Sequence, residues 1–285
     1  MEKGHAVYST QTKILRGLIW VFMLFMAVLM IFPVIYIVFG SFKGNSELLV
    51  GGTNIFPKKW VFSNYSNAWQ QANFARYTVN SIFLALGVMV VSLINSTMAG
   101  YVFSRRKFKG KEILYGIFVM FMFINVGSVS LRPLFELSVK LHMNKSLISV
   151  ILISAGGGQA TYLFLSRGFV NALPMELDEA AKIDGASTWR IYWNVIFPLM
   201  RPSFVTVAIY AFIWSWDDFQ GQMLYLNSAP KFTVSLGLRM FIDQAEIRWG
   251  ELLAMSLLSI IPSLLIFFLN QKEFVEGVAT TGLKG

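Results

Sequence analysis

Residues Glu176–Pro202 read ELDEAAKIDGASTWRIYWNVIFPLMRP. This polar, helix-forming stretch lies between apolar runs long enough to cross a membrane, where most connecting loops are short and irregular. It divides into two short helices joined at a fixed turn. Pro174 suits the first turn of a helix, where its missing N–H costs nothing. Glu176, Asp178 and Glu179 place negative charge at that helix's positive end. Leu177, Ala180, Ala181 and Asp184 share one face at i, i+3, i+4, i+7 spacing, and that face is mostly small. Gly185 sits where a left-handed C-terminal residue belongs. Ser187 is placed to cap a second helix, on which Trp189, Trp193 and Ile196 form an apolar stripe that Pro198 should end. A helix–glycine–helix with a nearly bare alanine face fits another protein's groove. The same periodicity also describes an amphipathic helix resting on a membrane surface.

Outward from this stretch, the composition excludes a soluble domain. Of 285 residues, 55% are hydrophobic and 14% charged, against roughly a quarter charged in soluble domains. Six apolar stretches stand out, near 18–42, 81–103, 113–131, 147–165, 203–216 and 252–269, none containing Asp, Glu, Lys, Arg or His. Five have the ~18 or more residues needed to span ~30 Å of hydrocarbon. Ser203–Trp216, with 14 residues, covers only about 21 Å and must borrow flanking residues. The net charge of +9 does not point to nucleic acid, because Arg105, Arg106, Lys107, Lys109 and Lys111 crowd one loop between two spans. That is the positive-inside pattern. It assigns this loop, Glu176–Pro202 and, with six spans, both termini to the cytoplasm. Lys13–Arg16 and the apolar run after it imitate a leader, but the run exceeds the usual ~7–15 residues and lacks a small-x-small site, so a retained helix is expected.

The loops and breaks add detail. The first outer loop, Lys43–Arg76, holds Trp60, Tyr65, Trp69 and Phe74. Asn64–Arg76 is expected as an interfacial helix, with membrane anchoring and partner docking both open. Asp243, Glu246 and Arg248 lie in the third outer loop. Gly156-Gly157-Gly158-Gln159 interrupts the fourth span; close helix packing is the expected role, local unwinding beside a cavity the other. Asn95, Ser96 and Thr97 are expected as interhelical hydrogen-bond partners. An Asp at mid-bilayer costs about 2.5–3.5 kcal/mol, so Asp217 and Asp218 belong near the outer surface or beside a water-filled route.

The letters of the polar stretch go beyond its periodicity. Glu179-Ala180-Ala181, Asp184-Gly185-Ala186, Pro198 and Pro202 resemble the EAA loop of ABC-importer permeases, which couples the membrane subunit to a cytoplasmic ATPase. Asn64-Tyr65, Asn80-Ser81, Ala99-Gly100-Tyr101 to Arg105, Trp216-Asp217-Asp218-Phe219 and the tail Gly277–Gly285 are similar to carbohydrate-importer permeases of the maltose-transporter type. The likeness is to the smaller, six-span member of the permease pair and runs from about residue 15 to the end.

The resemblance implies an all-α membrane protein with six transmembrane helices and the type I ABC importer transmembrane domain. Residues 1–74 would hold the N-terminal tail, first helix and first outer loop. Residues 75–285 would hold the transporter domain, with the coupling loop at about 174–202 and a C-terminal tail. Glu179, Ala180, Ala181, Asp184 and Gly185 would form the ATPase-docking element, and Gly282, Leu283, Lys284 and Gly285 would reach the ATPase interface. Trp216, Asp217 and Asp218 would line the solute pathway. The implied partners are a second permease subunit in a heterodimer, two cytoplasmic ATP-binding subunits, an extracytoplasmic solute-binding protein, a carbohydrate (an oligosaccharide) and membrane lipid. The implied location is the bacterial cytoplasmic (inner) membrane, as a multi-pass protein. Gly156–Gly158 departs from the family pattern in its glycine content.

The chain has no Gly-x-x-x-x-Gly-Lys-Ser/Thr phosphate loop, so ATP and Mg are expected in partner ATPase subunits, with no cofactor bound by this chain. With no cysteine, two histidines and no paired carboxylates in a span, neither a catalytic set nor a metal site is expected. A membrane enzyme would need such a set. An ion-coupled secondary transporter component, the alternative function, would need ionisable residues at mid-span or an internal repeat; neither is evident. The topology has a direct test, because single cysteines can be introduced into a cysteine-free chain. A Lys109→Cys variant should resist impermeant thiol reagents added to intact cells and react once the membrane is opened; labelling from outside would overturn the orientation.

Overall fold

The computed structural model describes residues 10–51, 54–71, 73–124, 127–143, 146–156, 159–242 and 247–282. The principal helices in chain order are α1 (Thr10–Gly40), α2 (Ser63–Gln71), α3 (Phe74–Arg105), α4 (Lys111–Phe123), α5 (Leu131–Lys140), α6 (Leu147–Gly156), α7 (Gln159–Ala172), α8 (Glu176–Ile183), α9 (Thr188–Ile191), α10 (Arg201–Asp217), α11 (Gln220–Tyr225) and α12 (Trp249–Gly282). Asp243, Glu246, Gly157, Gly158, Leu283, Lys284 and Gly285 lie outside the described residues. The chain divides into two compact units: Met1–Gln70 with Phe241–Leu258, and Gln71–Met240 with Ser259–Gly285.

In the first unit, α1 leaves most of its apolar length uncovered by protein, Gly40 at its end being buried, as suits a helix surrounded by lipid. The carbonyls just past its end need partners. Asn64 supplies them, donating through Nδ2 to Ser41 O at 2.8 Å and Lys43 O at 2.9 Å. Tyr65 shares a hydrogen bond with the Ser41 hydroxyl at 2.7 Å. The expected interfacial helix is therefore shorter than Asn64–Arg76. It ends at Gln71, and Asn73, in a left-handed conformation (φ 46°), precedes a new helix.

In the second unit, α3 is the helix around which the others gather. Leu84 and Val88 pack with Val150, Ile151 and Ala155 of α6, Tyr225 of α11, and Leu226 and Leu236. Asn80 donates to Pro230 O at 3.0 Å and Phe232 O at 2.8 Å, and Ser81 Oγ accepts from Val234 N at 2.8 Å. These bonds tie the connection after α11 to the start of α3. With α7 the contact is backbone to backbone. A Cβ on Gly100 would lie 2.7 Å from Ser166 Cβ, 2.9 Å from Ser166 C and 3.0 Å from Arg167 N, so only glycine fits this crossing.

The described residues of all six apolar stretches fall mainly on helices, with unequal continuity. Among the described residues, Ile14–Gly40, Phe74–Arg105 and Trp249–Gln271 are each long and apolar enough to cross a membrane. Two bent pairs would raise the count to as many as five if each were one span: Leu147–Gly156 with Ala160–Ala172 at 60°, and Thr188–Leu199, part of the polar stretch, with Ser203–Asp217 at 82°. The third stretch, 113–131, is interrupted. Helix α4 stops at Phe123, and a 3-10 turn, Gly127–Ser130, leads into α5, consistent with the poor helix formers Gly127, Ser128 and Ser130. At Gly156 an added Cβ would meet nothing within 4 Å, so that glycine makes no close contact; Gly157 and Gly158 lie outside the described residues. Thr97 makes an interhelical hydrogen bond as expected, whereas Ser96 bonds Leu93 O in its own helix and Asn95 is exposed.

The Gly100 crossing has a measurable consequence. Gly100→Val should lower the stability of the purified protein by about 1–3 kcal/mol through overpacking, read as a fall in thermal unfolding temperature. Gly116→Ala, at a position with open space around it, should not lower it; equal melting of the two variants would contradict the crossing.

Candidate functional site

The polar stretch forms a helix–turn–helix. Helix α8 carries Glu176, Asp178 and Glu179 in its first turn, where the helix dipole favours negative charge. Its end is a Schellman turn: Gly185 N donates to Lys182 O and Ala186 N to Ala181 O, both at 3.0 Å. Gly185 has φ +75°, a conformation that disfavours side chains with a Cβ. Ser187 caps α9 by accepting from Arg190 N at 3.4 Å. Two boundaries differ from expectation. Pro174 lies two residues before α8. Pro198 does not stop the second helix, which runs on to Leu199 through a π-turn at Tyr192–Ile196. Pro198 cannot donate to the carbonyl four residues back, and the widened turn before it accommodates that loss.

The face of α8 splits between inside and outside. Ala181 and Ala186 pack against Tyr101, Val170, Ile191, Tyr192, Ile196 and Met200. Glu179, Ala180, Lys182, Ile183, Asp184 and Gly185 face outward, with Ile183 86% exposed. Trp189 is exposed as well, in edge contact with Trp193. The outward surface is thus small and acidic on α8, with two large apolar side chains, Ile183 and Trp189.

Asp178 behaves differently from the other acids of α8. It is buried, its Oδ2 lies 3.1 Å from Arg105 Nε, and its Oδ1 accepts from the Tyr101 hydroxyl at 3.1 Å. Arg105 also donates from Nη2 to Leu173 O at 2.7 Å and Pro174 O at 3.4 Å. Removing one partner of a buried ion pair costs about 3–5 kcal/mol. Tyr192 and Thr97 share a hydroxyl hydrogen bond at 2.8 Å, worth about 0.5–1.5 kcal/mol.

At the other end of α10 lies a cleft of about 680 Å³ lined by Ile209, Tyr210, Ile213, Trp214, Asp217, Asp218, Phe219, Gln220 and Phe267. Asp217 and Asp218 therefore border a cavity. Trp216 does not: it is buried, stacks on Phe212 at 5.5 Å, and donates from Nε1 to Ser259 O at 2.9 Å. The cleft's tryptophan is Trp214, 78% exposed. Asp218 Oδ1 accepts from Gly221 N at 2.9 Å. Burial pushes the Asp218 carboxyl above the ordinary carboxylate range, and that hydrogen bond partly opposes the shift. Gly282 is the last residue of α12; the rest of the expected C-terminal contact is not described.

Residues 92–273 match the family of binding-protein-dependent transport system inner membrane components. The chain belongs to this family. It is 31% identical over 281 residues to the arabinooligosaccharides transport system permease protein of Bacillus subtilis (strain 168), covering 98% of this chain and 99% of that one. It is 33% identical over 265 residues to the galactooligosaccharides transport system permease protein of the same organism, covering 92% and 93%. A maltodextrin transport system permease protein of Streptococcus pneumoniae is 27% identical over 275 residues, covering 96% and 97%. A chain in the crystal structure of a bacterial ABC transporter involved in the import of the acidic polysaccharide alginate shares its fold, with TM-score 0.81 and 23% identity over 94% of this chain and 99% of that one. This inner-membrane component is thus a multi-pass transport permease with the importer fold and no enzymatic role of its own.

Sequence reading missed Trp214 at the cleft and, in the polar stretch, Asp178, counted only among the N-terminal charges of α8. A signal existed in α3: Thr97, Tyr101 and Arg105 are polar-tipped residues four apart on an apolar helix, a stripe that predicts a polar partner.

Proposed function

We propose that this permease is one membrane-spanning half of an ATP-driven oligosaccharide importer, and that Glu176–Pro202 is its coupling element. The carrying observation is the helix–turn–helix itself: an outward α8 surface of Glu179, Ala180, Asp184 and Gly185, held at a Schellman turn. The small surface admits close approach to a groove, Glu179 offers a charge-assisted contact, and Ile183 and Trp189 offer apolar anchors. In this reading two ATP-binding subunits hold ATP and Mg, and a second permease completes the pore as a heterodimer. A binding protein delivers solute to the outer side, and Gly282–Gly285 extend the ATPase contact. Residues 75–285 serve as the transporter domain, with 1–74 adding a helix and an outer loop. Closure of the ATPases would draw the coupling elements together and switch the pore between outward- and inward-facing states.

The substrate reading rests on the relatives, whose names specify arabino-, galacto- and malto-oligosaccharides, and on the cleft. Tyr210 and Trp214 offer faces for sugar rings, and Asp217 and Asp218 accept hydrogen bonds from hydroxyls. Among the described residues no Lys, Arg or His lines the cleft. An uncharged oligosaccharide therefore suits this cleft better than an acidic one.

Glu179→Lys and Gly185→Val test the coupling role in the assembled transporter. A charge-assisted hydrogen bond is worth about 1.5–3 kcal/mol, so Glu179→Lys should weaken docking at least roughly tenfold. Uptake and solute-stimulated ATP hydrolysis should be lost in both variants, while the binding protein's affinity for solute stays the same. Gly185→Asn, which tolerates positive φ, should retain activity. Normal uptake and stimulation in Glu179→Lys and Gly185→Val would sink the assignment.

A further inference from the structure

Thr97, Tyr101 and Arg105 follow one another at i, i+4 and i+8 along one side of α3. Each bonds a different part of the polar stretch or its lead-in. Thr97 meets Tyr192, beyond the turn. Tyr101 donates to Asp178 on α8. Arg105 meets the same carboxylate from its other side and, through Nη2, the carbonyls of Leu173 and Pro174, in the connection from α7 to α8. Asp178 is thus held by α3 through one hydrogen bond at Oδ1 and one charge contact at Oδ2, and the side chain is 1% exposed. Its neighbours Glu176, Glu179 and Asp184 are all exposed. Removing either partner would leave a buried group without its counter-charge, which is strongly destabilising. The planar guanidinium can hold a carboxylate and a carbonyl at once, which a lysine ammonium on a flexible stem does less well.

We infer that Tyr101, Arg105 and Asp178 are positioning residues for coupling: they lock α8 to α3, so that displacement of α8 moves α3 as one body with it and does not flex the Leu173–Met175 connection. The inference rests on the coupling role proposed above. It assigns α3 as the route by which motion at the docking surface reaches the membrane region, with the Thr97–Tyr192 bond repeating the attachment on the far side of the turn.

The test uses the complete transporter, with spin labels on cysteines placed at Val90 of α3 and Glu176 of α8, both exposed here. The label separation is measured without nucleotide and with a non-hydrolysable ATP analogue. With the native cluster, one narrow distance distribution should persist in both states. In Asp178→Asn and Arg105→Lys the distribution should broaden. Solute stimulation of ATP hydrolysis should fall by about 5- to 150-fold, the usual span of a coupling between sites, with basal hydrolysis and complex yield retained. Arg105→Lys keeps the charge, so it carries the measurement if Asp178→Asn does not assemble. A native distance that shifts between states overturns the inference. So do variants with native distances and stimulation, or loss of assembly in both variants without a separable coupling defect. A failed docking assignment would register differently, as normal stimulation in Glu179→Lys with these distances unaffected.

Discussion

The crossing of α3 and α7 at Gly100 is the constraint on which the larger unit depends. With Ser166 and the Arg167 nitrogen at the position where a side chain would begin, the helices meet backbone to backbone. In a membrane, where lipid is as apolar as leucine, such close packing replaces the hydrophobic drive that holds soluble helices together. Thr97, Tyr101 and Arg105 flank this crossing within about one and a half turns. Their reach to Tyr192, Asp178 and the Leu173–Pro174 carbonyls therefore depends on it. A polar helix–turn–helix is held against a membrane helix by one close crossing and a short row of hydrogen bonds.

Much of this was legible in the residues because it follows local rules. The N-terminal charges of α8, the left-handed Gly185 and the Ser187 cap each depend on neighbours within a few positions, and each lies where the sequence places it. The apolar stretches were equally plain as stretches. Their continuity was not, since hydropathy alone does not register the poor helix formers after Phe123 or the turn at Met200–Pro202 that bends the chain by 82°. The burial of Asp178 depends on Arg105, 73 positions away, and no periodicity within α8 distinguishes it from Glu176 or Glu179.

The cleft shows a second limit. Trp214 and Trp216 lie about 200° apart around a helix that is apolar on every side, so the pattern cannot say which tryptophan faces a cavity. Tertiary packing decides it: Phe212 and the Ser259 carbonyl claim Trp216, leaving Trp214 with Tyr210 and the aspartates. Likewise Asn64-Tyr65 and Asn80-Ser81, motif residues from the sequence, prove to be clamps on carbonyls and an amide of neighbouring loops. Their side chains satisfy backbone groups that would otherwise be left without partners near the membrane.

The account turns on what covers the outward surface of α8 in the working transporter. A photoreactive amino acid at Ile183, 86% exposed on that helix, measures this directly in membranes containing the whole complex. The account predicts a covalent adduct with an ATP-binding subunit, unchanged by extraction of lipid. Adducts with lipid alone, or with another membrane subunit and not the ATPase, would contradict it and mark Glu176–Pro202 as a membrane-surface helix.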